Sequence, residues 1–238
     1  MVERRKASAL IQRAKSSGRN LLEYEALWLL EAYGFPLPPF EVLAHPPVLS
    51  SEFLAGLVYP LVAKAVSRHI SHKTDAGAVC LDIKNEQELV EAIRGMESAV
   101  LERVPQAEIE GWLVRPYLPT GTEVIAGSIT DSQFGPAVMV GIGGILTEVY
   151  RDVAFGLAPL SSVDAEEMIE ALRGQTLLDG LRGLSPVPRK ELAALLVRLG
   201  KMMVENPEVM ECDLNPIICH GGTLSVADAR VRLRTDER

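Results

Sequence analysis

Hydrophobic positions in the N-terminal part of the chain recur twice with a helical period. The two runs cover residues 7–15 and 22–33, and they predict two helices. Asn20 and Glu23 resemble a capping box and predict the start of the second helix, whereas Gly34 predicts its end.

After the proline-rich segment 35–39, which forces an extended connection, the pattern predicts a small mixed lobe. Residues 61–66 form an apolar run interrupted by Lys64, and residues 78–83 alternate like a strand before Asn85 opens a helical pattern. The predicted elements are strands at 40–43, 61–66 and 78–83, a short helix at 51–57, and a helix that follows Asn85.

From Gly111 onward, apolar runs are separated by glycine and proline turns, which is typical of successive strands. The predicted elements are strands at 112–114, 123–127 and 137–141, helices at 164–172 and 189–204, and closing strands at 217–219 and 224–226. The order of elements indicates an α/β protein built from α+β lobes. Its predicted parts are a helical extension at 1–20, a smaller lobe at 21–116 and a larger lobe at 117–238.

Composition narrows the class of protein. The chain has 238 residues, of which 47% are hydrophobic and 24% charged, so it can bury a full core. Its net charge of −8 argues against a broad nucleic-acid-binding face. No apolar stretch approaches the roughly 20 residues that span a bilayer, and no apolar region follows the charged N-terminus, so neither secretion nor membrane insertion is expected. Three cysteines without paired spacing favour a reducing, cytoplasmic location.

The first candidate for chemistry is His72, which opens the segment 72–79. A neutral imidazole is nucleophilic near pH 7, and the Lys73 ammonium beside it can attract phosphoryl oxygens. Gly77 would allow close approach of the backbone. Taken alone, a histidine in a polar loop is more often solvated or structural, so the rest of the chain has to distinguish these interpretations.

Lys64 is a lone cation in an apolar strand. A buried ammonium is costly unless an anion meets it, and a nucleotide phosphate would suffice. The alternative is a lysine on an edge strand that points into solvent.

The segment 141–144 contains three glycines directly after a predicted strand. Backbone N–H groups at Gly143 and Gly144 could face an anion, and Glu148 could face a metal or a ribose. The alternative is a tight turn, because the spacing matches neither the dinucleotide-binding fingerprint nor the P-loop.

An acidic segment near the C-terminus suggests a metal site. Alternation places Glu211, Asp213 and Asn215 on one side of an extended chain, and Asp228 follows on the next strand. Carboxylate and amide oxygens are the ligands that Mg²⁺ prefers when phosphates and water complete its shell. The alternative for Asn215 and its following proline is a simple turn.

The junction between the two predicted lobes carries Arg115 and Tyr117. A purine can bind in an interlobe cleft and form hydrogen bonds with the linker backbone, while a carboxylate such as Glu123 takes the ribose hydroxyls. A plain interlobe linker is compatible with the same residues.

Taken in chain order, these features resemble the ATP-grasp domain of the nucleoside-diphosphate-forming acyl-CoA synthetases, in particular the β subunits of ADP-forming acetate–CoA ligases. The resemblance extends over residues 7–233 and rests on seven segments: 21–26, 33–38, 72–79, 134–136, 141–144, 213–216 and 226–230. It implies an ATP-grasp fold of two subdomains with the nucleotide between them.

The resemblance also implies a reaction and a set of roles. Acyl-CoA, ADP and phosphate would give a carboxylic acid, CoA and ATP, with a CoA-binding α subunit as partner and with Mg²⁺ as the metal. The phosphoryl group would pass from a histidine of the α subunit to His72 and then to ADP. Asp213 would orient the phosphorylated imidazole, Asn215 and Asp228 would bind Mg²⁺, and the nucleotide would contact Lys64, Lys73, Arg115, Tyr117, Glu123, Gly143, Gly144 and Glu148.

One departure from the family pattern is visible. A Ser-Pro step is expected before the histidine segment, and this chain has Ser67 followed by Arg68. Arg68 is therefore expected either to loosen the segment or to add a phosphate contact. Two other functions share the fold: a noncatalytic ligand-sensing module that regulates a partner, and a ligase that makes its acyl phosphate without a histidine relay. The retained His72 favours the synthetase, in which the partner mainly selects the acid.

Overall fold

The computed structural model describes residues 2–70, 73–144, 152–181 and 183–234. In chain order the elements are α1 Val2–Ser16, α2 Glu23–Ala32, β1 Glu41–Leu43, α3 Ser51–Ala55, β2 Leu61–Val66, β3 Val79–Ile83, α4 Glu86–Arg103, β4 Gly111–Pro116, β5 Thr122–Asp131, β6 Gly135–Ile142, β7 Val153–Leu157, α5 Ser162–Glu170, a 3₁₀ helix Gln175–Asp179, α6 Arg189–Glu205, β8 Val209–His220, β9 Thr223–Val226 and β10 Ala229–Leu233.

Contacts within the chain divide it into two compact units. The small unit runs from Pro38 to Leu118, and the large unit combines the residues up to Leu37 with those from Pro119 onward. The boundary after Leu118 lies close to the predicted boundary between residues 116 and 117. The N-terminal part differs from the prediction: residues up to Leu37 belong to the large unit, whereas residues 1–20 were predicted as a separate extension and residues 21–37 as part of the smaller lobe. Hydrogen bonds join this N-terminal part to the C-terminal half, as between Val226 N and the Pro36 carbonyl at 2.8 Å.

The small unit is an antiparallel sheet of order β1-β4-β2-β3 with α4 on one face. Asn85 caps α4 by accepting a hydrogen bond from Glu88 N at 3.0 Å. The core on this side consists of alternate strand residues and one stripe of the helix: Ala63, Ala65, Trp112, Val114, Leu89, Ile93, Met96 and Val100. Alternation therefore turns Lys64 and Arg115 toward the opposite face of the sheet.

The large unit contains an antiparallel sheet of order β10-β8-β5-β6-β7, with β9 paired to β8. Helix α6 covers one face, since a Cβ on its Gly200 would lie 3.4 Å from the Val138 side chain of β6. Asp213 pairs with Gly127 and Gly127 pairs with Met139, so Asp213 lies on the other face. The sheet thus presents its acidic residues away from the helical layer.

One predicted feature at the chain ends was wrong, and two predictions there were incomplete. Asn20 does not cap α2; its side-chain oxygen accepts a hydrogen bond from Leu233 N at 3.0 Å. Glu25 provides the cap, because its carboxylate accepts from Leu22 N at 2.9 Å. The predicted strand 217–219 is only the end of β8, and the chain closes with β10, which the pattern did not predict. Among the described residues, no helix has both the length and the apolar composition needed to cross a bilayer.

Candidate functional site

The predicted site residues are distributed over both units. The small unit carries Lys64, Lys73, Arg115 and Tyr117, and the large unit carries Glu123, Gly143, Gly144, Asp213, Asn215 and Asp228. His72 and Glu148 lie outside the described residues.

Lys64 and Arg115 form a pair of buried cations on one face of the small sheet. Lys64 is 6% exposed and Arg115 is 7% exposed. Lys64 pairs with Leu113, two residues before Arg115 on β4, so the two cations are diagonal neighbours. Because β2 is an interior strand, Lys64 is not an exposed edge lysine. Both side chains are donors of the kind that bind phosphate.

The segment that follows His72 is a tight turn packed on α4. Ala78 N donates to the Lys73 carbonyl at 2.8 Å, and Gly77 N donates to the Thr74 carbonyl at 3.1 Å. Gly77 has a φ of +68°, and a Cβ there would lie 2.9 Å from both the Ala99 Cβ and an Arg103 nitrogen. Gly77 therefore serves a close contact with α4.

The substitution Gly77→Ala is expected to destabilise the protein by about 1–3 kcal/mol, because it combines a left-handed backbone with this overlap. Urea unfolding monitored by circular dichroism measures the effect. Gly95→Ala is the matched control: Gly95 lies in α4 with nothing within 4 Å of an added Cβ, so it should stabilise by up to about 1 kcal/mol. Equal stabilities for the two variants would contradict the packing role of Gly77.

A β-bulge brings the predicted metal ligands together. Asn215 and Pro216 of β8 stand opposite the single residue Ile125 of β5. Such a bulge redirects side chains and is common beside active sites. Asn215 N donates to the Asp228 carbonyl at 3.2 Å, so these two residues are backbone neighbours. The interpretation of Asn215 as part of a simple turn is wrong, because it lies inside β8.

Asn215 and Asp228 fit a magnesium ion that also binds phosphate. One amide oxygen and one carboxylate are hard ligands, and Mg²⁺ usually keeps several positions for water and substrate phosphates. In the described part of the chain, no group of three or more His, Cys, Asp or Glu residues could form an all-protein metal site. Two protein ligands leave the other positions of the ion to water and phosphate.

Asp213 lies two residues before Asn215 on β8, and the pKa of its carboxyl is raised above the ordinary value. Burial raises the pKa of its carboxyl and the Glu211 charge raises it further, while Arg230 opposite it on β10 lowers it. A Cβ on Gly127 would lie 3.9 Å from Asp213 Oδ1, so the glycine leaves space beside the carboxyl. The sequence interpretation gave no role to Arg230, although it lies in the segment 226–230.

Gly143 and Glu123 are in direct contact. Gly143 N donates to the Glu123 carbonyl at 2.8 Å, and a Cβ on Gly143 would lie 2.7 Å from the Glu123 Cβ. The Gly143 N–H group is thus already hydrogen-bonded within the protein, which agrees with the interpretation of this segment as a tight turn. Gly144 has a φ of +80° and lies next to the Glu123 carboxylate, with 3.7 Å between its hypothetical Cβ and Oε2. Glu123 itself is exposed and can accept hydrogen bonds from a ligand.

Tyr117 lies one residue before the end of the small unit, and its backbone N–H group is already hydrogen-bonded. Tyr117 N donates to the Pro60 carbonyl at 2.8 Å, whereas its side chain is 38% exposed. A ligand beside Tyr117 would therefore contact its aromatic ring or a neighbouring backbone carbonyl.

Comparison with known proteins identifies close relatives. A family model of the ATP-grasp domain matches residues 13–233. The chain is 42% identical over 228 residues to the β subunit of acetate–CoA ligase (ADP-forming) I of Pyrococcus furiosus, covering 96% of this chain and 98% of that protein.

Solved structures of another relative also resemble this chain over almost its whole length. The dinucleotide-forming acetyl-coenzyme A synthetase 1 of Candidatus Korarchaeum cryptofilum, in complex with coenzyme A and Ca-AMPCP, superposes with a TM-score of 0.89 at 41% identity, covering 96% of this chain and all (100%) of that chain. Another structure of that synthetase contains Mg-AMPPCP and has its phosphohistidine segment pointing towards the nucleotide site; its TM-score is 0.83 at 37% identity, with the same coverage.

Proposed function

The chain belongs to the ATP-grasp family, within the group of ADP-forming acetate–CoA ligase β subunits, and on this premise we propose that it is the nucleotide-binding β subunit of an ADP-forming acyl-CoA synthetase. The reaction converts acyl-CoA, ADP and phosphate into carboxylic acid, CoA and ATP. The observation that carries the proposal is the nearly end-to-end match to the Pyrococcus β subunit.

His72 carries the phosphoryl group between two sites. An imidazole nitrogen of His72 attacks the phosphorus held on a histidine of the partner, and that P–N bond breaks. A terminal phosphate oxygen of ADP then attacks the same phosphorus, which breaks the P–N bond to His72 and forms ATP. Each step exchanges one bond to phosphorus for another, so catalysis depends on positioning and electrostatics. The carboxyl of Asp213 orients the His72 imidazole through a hydrogen bond.

The charged groups of the small unit hold the phosphates. Lys64 and Arg115, buried on one sheet face, neutralise phosphate oxygens, and Lys73 adds a third cation next to His72 in the chain. Glu123 accepts hydrogen bonds from the ribose hydroxyls, and Tyr117 contacts the base. Gly144 and Glu148 remain predicted neighbours of the nucleotide.

Asn215 and Asp228 hold Mg²⁺ through their side-chain oxygens. When bound, the ion neutralises charge on ADP and on the arriving phosphoryl group. The bulge in β8 and the hydrogen bond from Asn215 N to the Asp228 carbonyl keep the two residues next to each other.

The partner is a CoA-binding α subunit, and the assembly is a heterooligomer in which the partner selects the acid. We also place the protein in the cytoplasm, because its three cysteines are free thiols and ADP and CoA are available there.

Reconstitution tests this function. The purified chain is mixed with a CoA-binding α subunit of the family, acetyl-CoA, ADP, phosphate and Mg²⁺, and ATP is measured by a luciferase assay. ATP should appear only when both subunits are present, and branched-chain and aryl acyl-CoA replace acetyl-CoA to identify the acid. The alternative outcome is that the chain binds nucleotide but forms ATP with none of the acyl-CoA substrates. If nucleotide binding then also changes the activity of a partner, the chain is a noncatalytic ligand-sensing module.

A further inference from the structure

Three successive cross-strand pairs of β8 and β10 carry polar side chains on the open face of the large sheet, the face that α6 does not cover. Leu214 stands opposite Ala229 in this pairing, and the hydrogen bond from Asn215 N to the Asp228 carbonyl continues it by one residue. Every second residue of a strand points to the same face. The three pairs on this face are therefore Asn215–Asp228, Asp213–Arg230 and Glu211–Arg232.

The two acid–arginine pairs differ in their contacts. Arg232 Nη1 donates to Glu211 Oε2 at 2.6 Å, which closes that pair. The Asp213 side chain is one methylene shorter, and the Arg230 guanidinium opposite it forms neither an ion pair nor a hydrogen bond with the part of the chain that the structure describes. Arg230 is exposed. Its donors are therefore available to a ligand on the open face.

Arg230 also lies between two groups to which the proposed function assigns roles in phosphoryl transfer. It follows the metal ligand Asp228 by two residues, about 7 Å along an extended chain, a distance that a long arginine side chain can cover. Asp213, the partner of the phosphate carrier, stands directly opposite it. A phosphoryl group that travels between the carrier and the metal-bound ADP would therefore pass beside Arg230.

We propose that Arg230 is a further catalytic residue, which binds the nonbridging oxygens of the transferred phosphoryl group, the group that becomes the terminal phosphate of ATP. This inference rests on the proposed function. A terminal oxygen of ADP forms a bond to phosphorus while the bond from phosphorus to the carrier nitrogen breaks, and no proton moves to or from Arg230. Two N–H groups of a guanidinium match two phosphate oxygens, and they stabilise the charge that these oxygens carry during transfer.

Nucleotide binding by the purified full chain tests this contact without turnover. Calorimetry in the presence of Mg²⁺ compares ADP with the nonhydrolysable ATP analogue AMPPCP, which carries the additional terminal phosphate. Arg230→Met should weaken AMPPCP binding by about tenfold, because a charged hydrogen-bond donor is lost, and should change ADP binding by less than about twofold. Arg230→Lys should recover part of the loss, since a lysine keeps the charge without the fork.

Arg232→Met is the matched control, because Arg232 lies on the same strand and face but already contacts Glu211. This variant should bind both nucleotides like the wild type. Asp213→Asn shows whether Arg230 acts only through its neighbour. It should slow transfer, but it removes a negative charge beside the phosphate and therefore should not weaken AMPPCP binding.

The holoenzyme, the full chain with its α subunit, provides the kinetic readout. Rapid-quench measurement of phosphoryl transfer to ADP should show a rate about 100-fold lower in Arg230→Met, as expected when a donor to a developing charge is removed. The KM for ADP should stay within about twofold of wild type, because ADP lacks the transferred group. Arg232→Met should transfer at the wild-type rate.

Wild-type AMPPCP affinity and transfer rate in Arg230→Met would overturn the inference and leave the proposed function intact. Equal losses in Arg230→Met and Arg232→Met would also overturn it, because the general positive charge of the face would then be responsible. So would a parallel loss of ADP and AMPPCP affinity, which would make Arg230 a ligand of ADP. If Arg230→Met selectively loses AMPPCP binding but the wild-type holoenzyme forms no ATP, the phosphate contact stands and the proposed function fails, together with the catalytic role.

Discussion

His72→Asn is expected to abolish the acid-labile, base-stable phosphate that the wild-type chain acquires from γ-labelled ATP and Mg²⁺. A phosphorus–nitrogen bond to imidazole hydrolyses in acid and survives base, unlike a serine phosphate or an acyl phosphate. Asparagine keeps a polar side chain of similar reach but has no nucleophilic ring nitrogen, so the label should fall to background. Filter binding after acid treatment and after base treatment measures the protein-bound label, and a parallel set of reactions also contains the α subunit.

His220→Asn is the matched control for this experiment. His220 is exposed at the end of β8, and its Nδ1 lies 3.0 Å from the Thr120 carbonyl. This variant should keep the full label, and calorimetry should show normal ATP binding in both variants. Label that persists in His72→Asn would exclude His72 as the carrier. Loss of label together with ATP binding and folding would mean that His72 is structural.

Asp228→Asn is expected to weaken Mg²⁺-dependent ADP binding by about 10–100-fold. The amide keeps an oxygen at the same place but removes a full negative charge facing the ion. Neighbouring structure should persist, because Asn215 N bonds the main-chain carbonyl of Asp228 and an amide oxygen can still accept from Ala229 N, which now donates to Asp228 Oδ1 at 3.1 Å. Calorimetric ADP titrations at a series of Mg²⁺ concentrations measure the change.

Asp131→Asn provides the comparison. The Asp131 carboxylate also accepts hydrogen bonds from backbone N–H groups, those of Gln133 at 2.7 Å and Phe134 at 2.9 Å, but Asp131 is the last residue of β5, before the β5–β6 turn. Its variant should bind Mg·ADP like the wild type. In the absence of Mg²⁺, Asp228→Asn and wild type should bind ADP equally. Superimposable Mg²⁺ titrations for Asp228→Asn and wild type would remove Asp228 from the metal site.

Local sequence was sufficient to predict those elements whose stabilising interactions are short-range. Helix α4 begins after Asn85 because that side chain bonds the Glu88 amide three residues away. The strand at 61–66 was predicted with the bounds that it has in the structure, because six consecutive residues of that composition require burial on both faces. The family resemblance likewise depends on short segments in a particular order.

Long-range partners explain the predictions that failed. Asn20 has the side chain of a helix cap, but Leu233, distant in sequence, takes its oxygen. Residues 209–216 do not alternate in phase with residues 217–220, because the bulge at Asn215 and Pro216 shifts the buried positions. A periodicity test therefore gives two short extended pieces, 211–215 and 217–219, where the structure has the single strand β8.

The sequence by itself determined the family, most secondary structure and the residue types available for phosphoryl transfer, because these depend on composition, local spacing and motif order. Only the tertiary structure decided that β2 is an interior strand, that Asn215 lies beside Asp228, and that Arg68 pairs with Glu110. Each of these contacts joins residues from different elements. Their partners are selected by strand pairing and core packing over the whole unit, which no local pattern encodes.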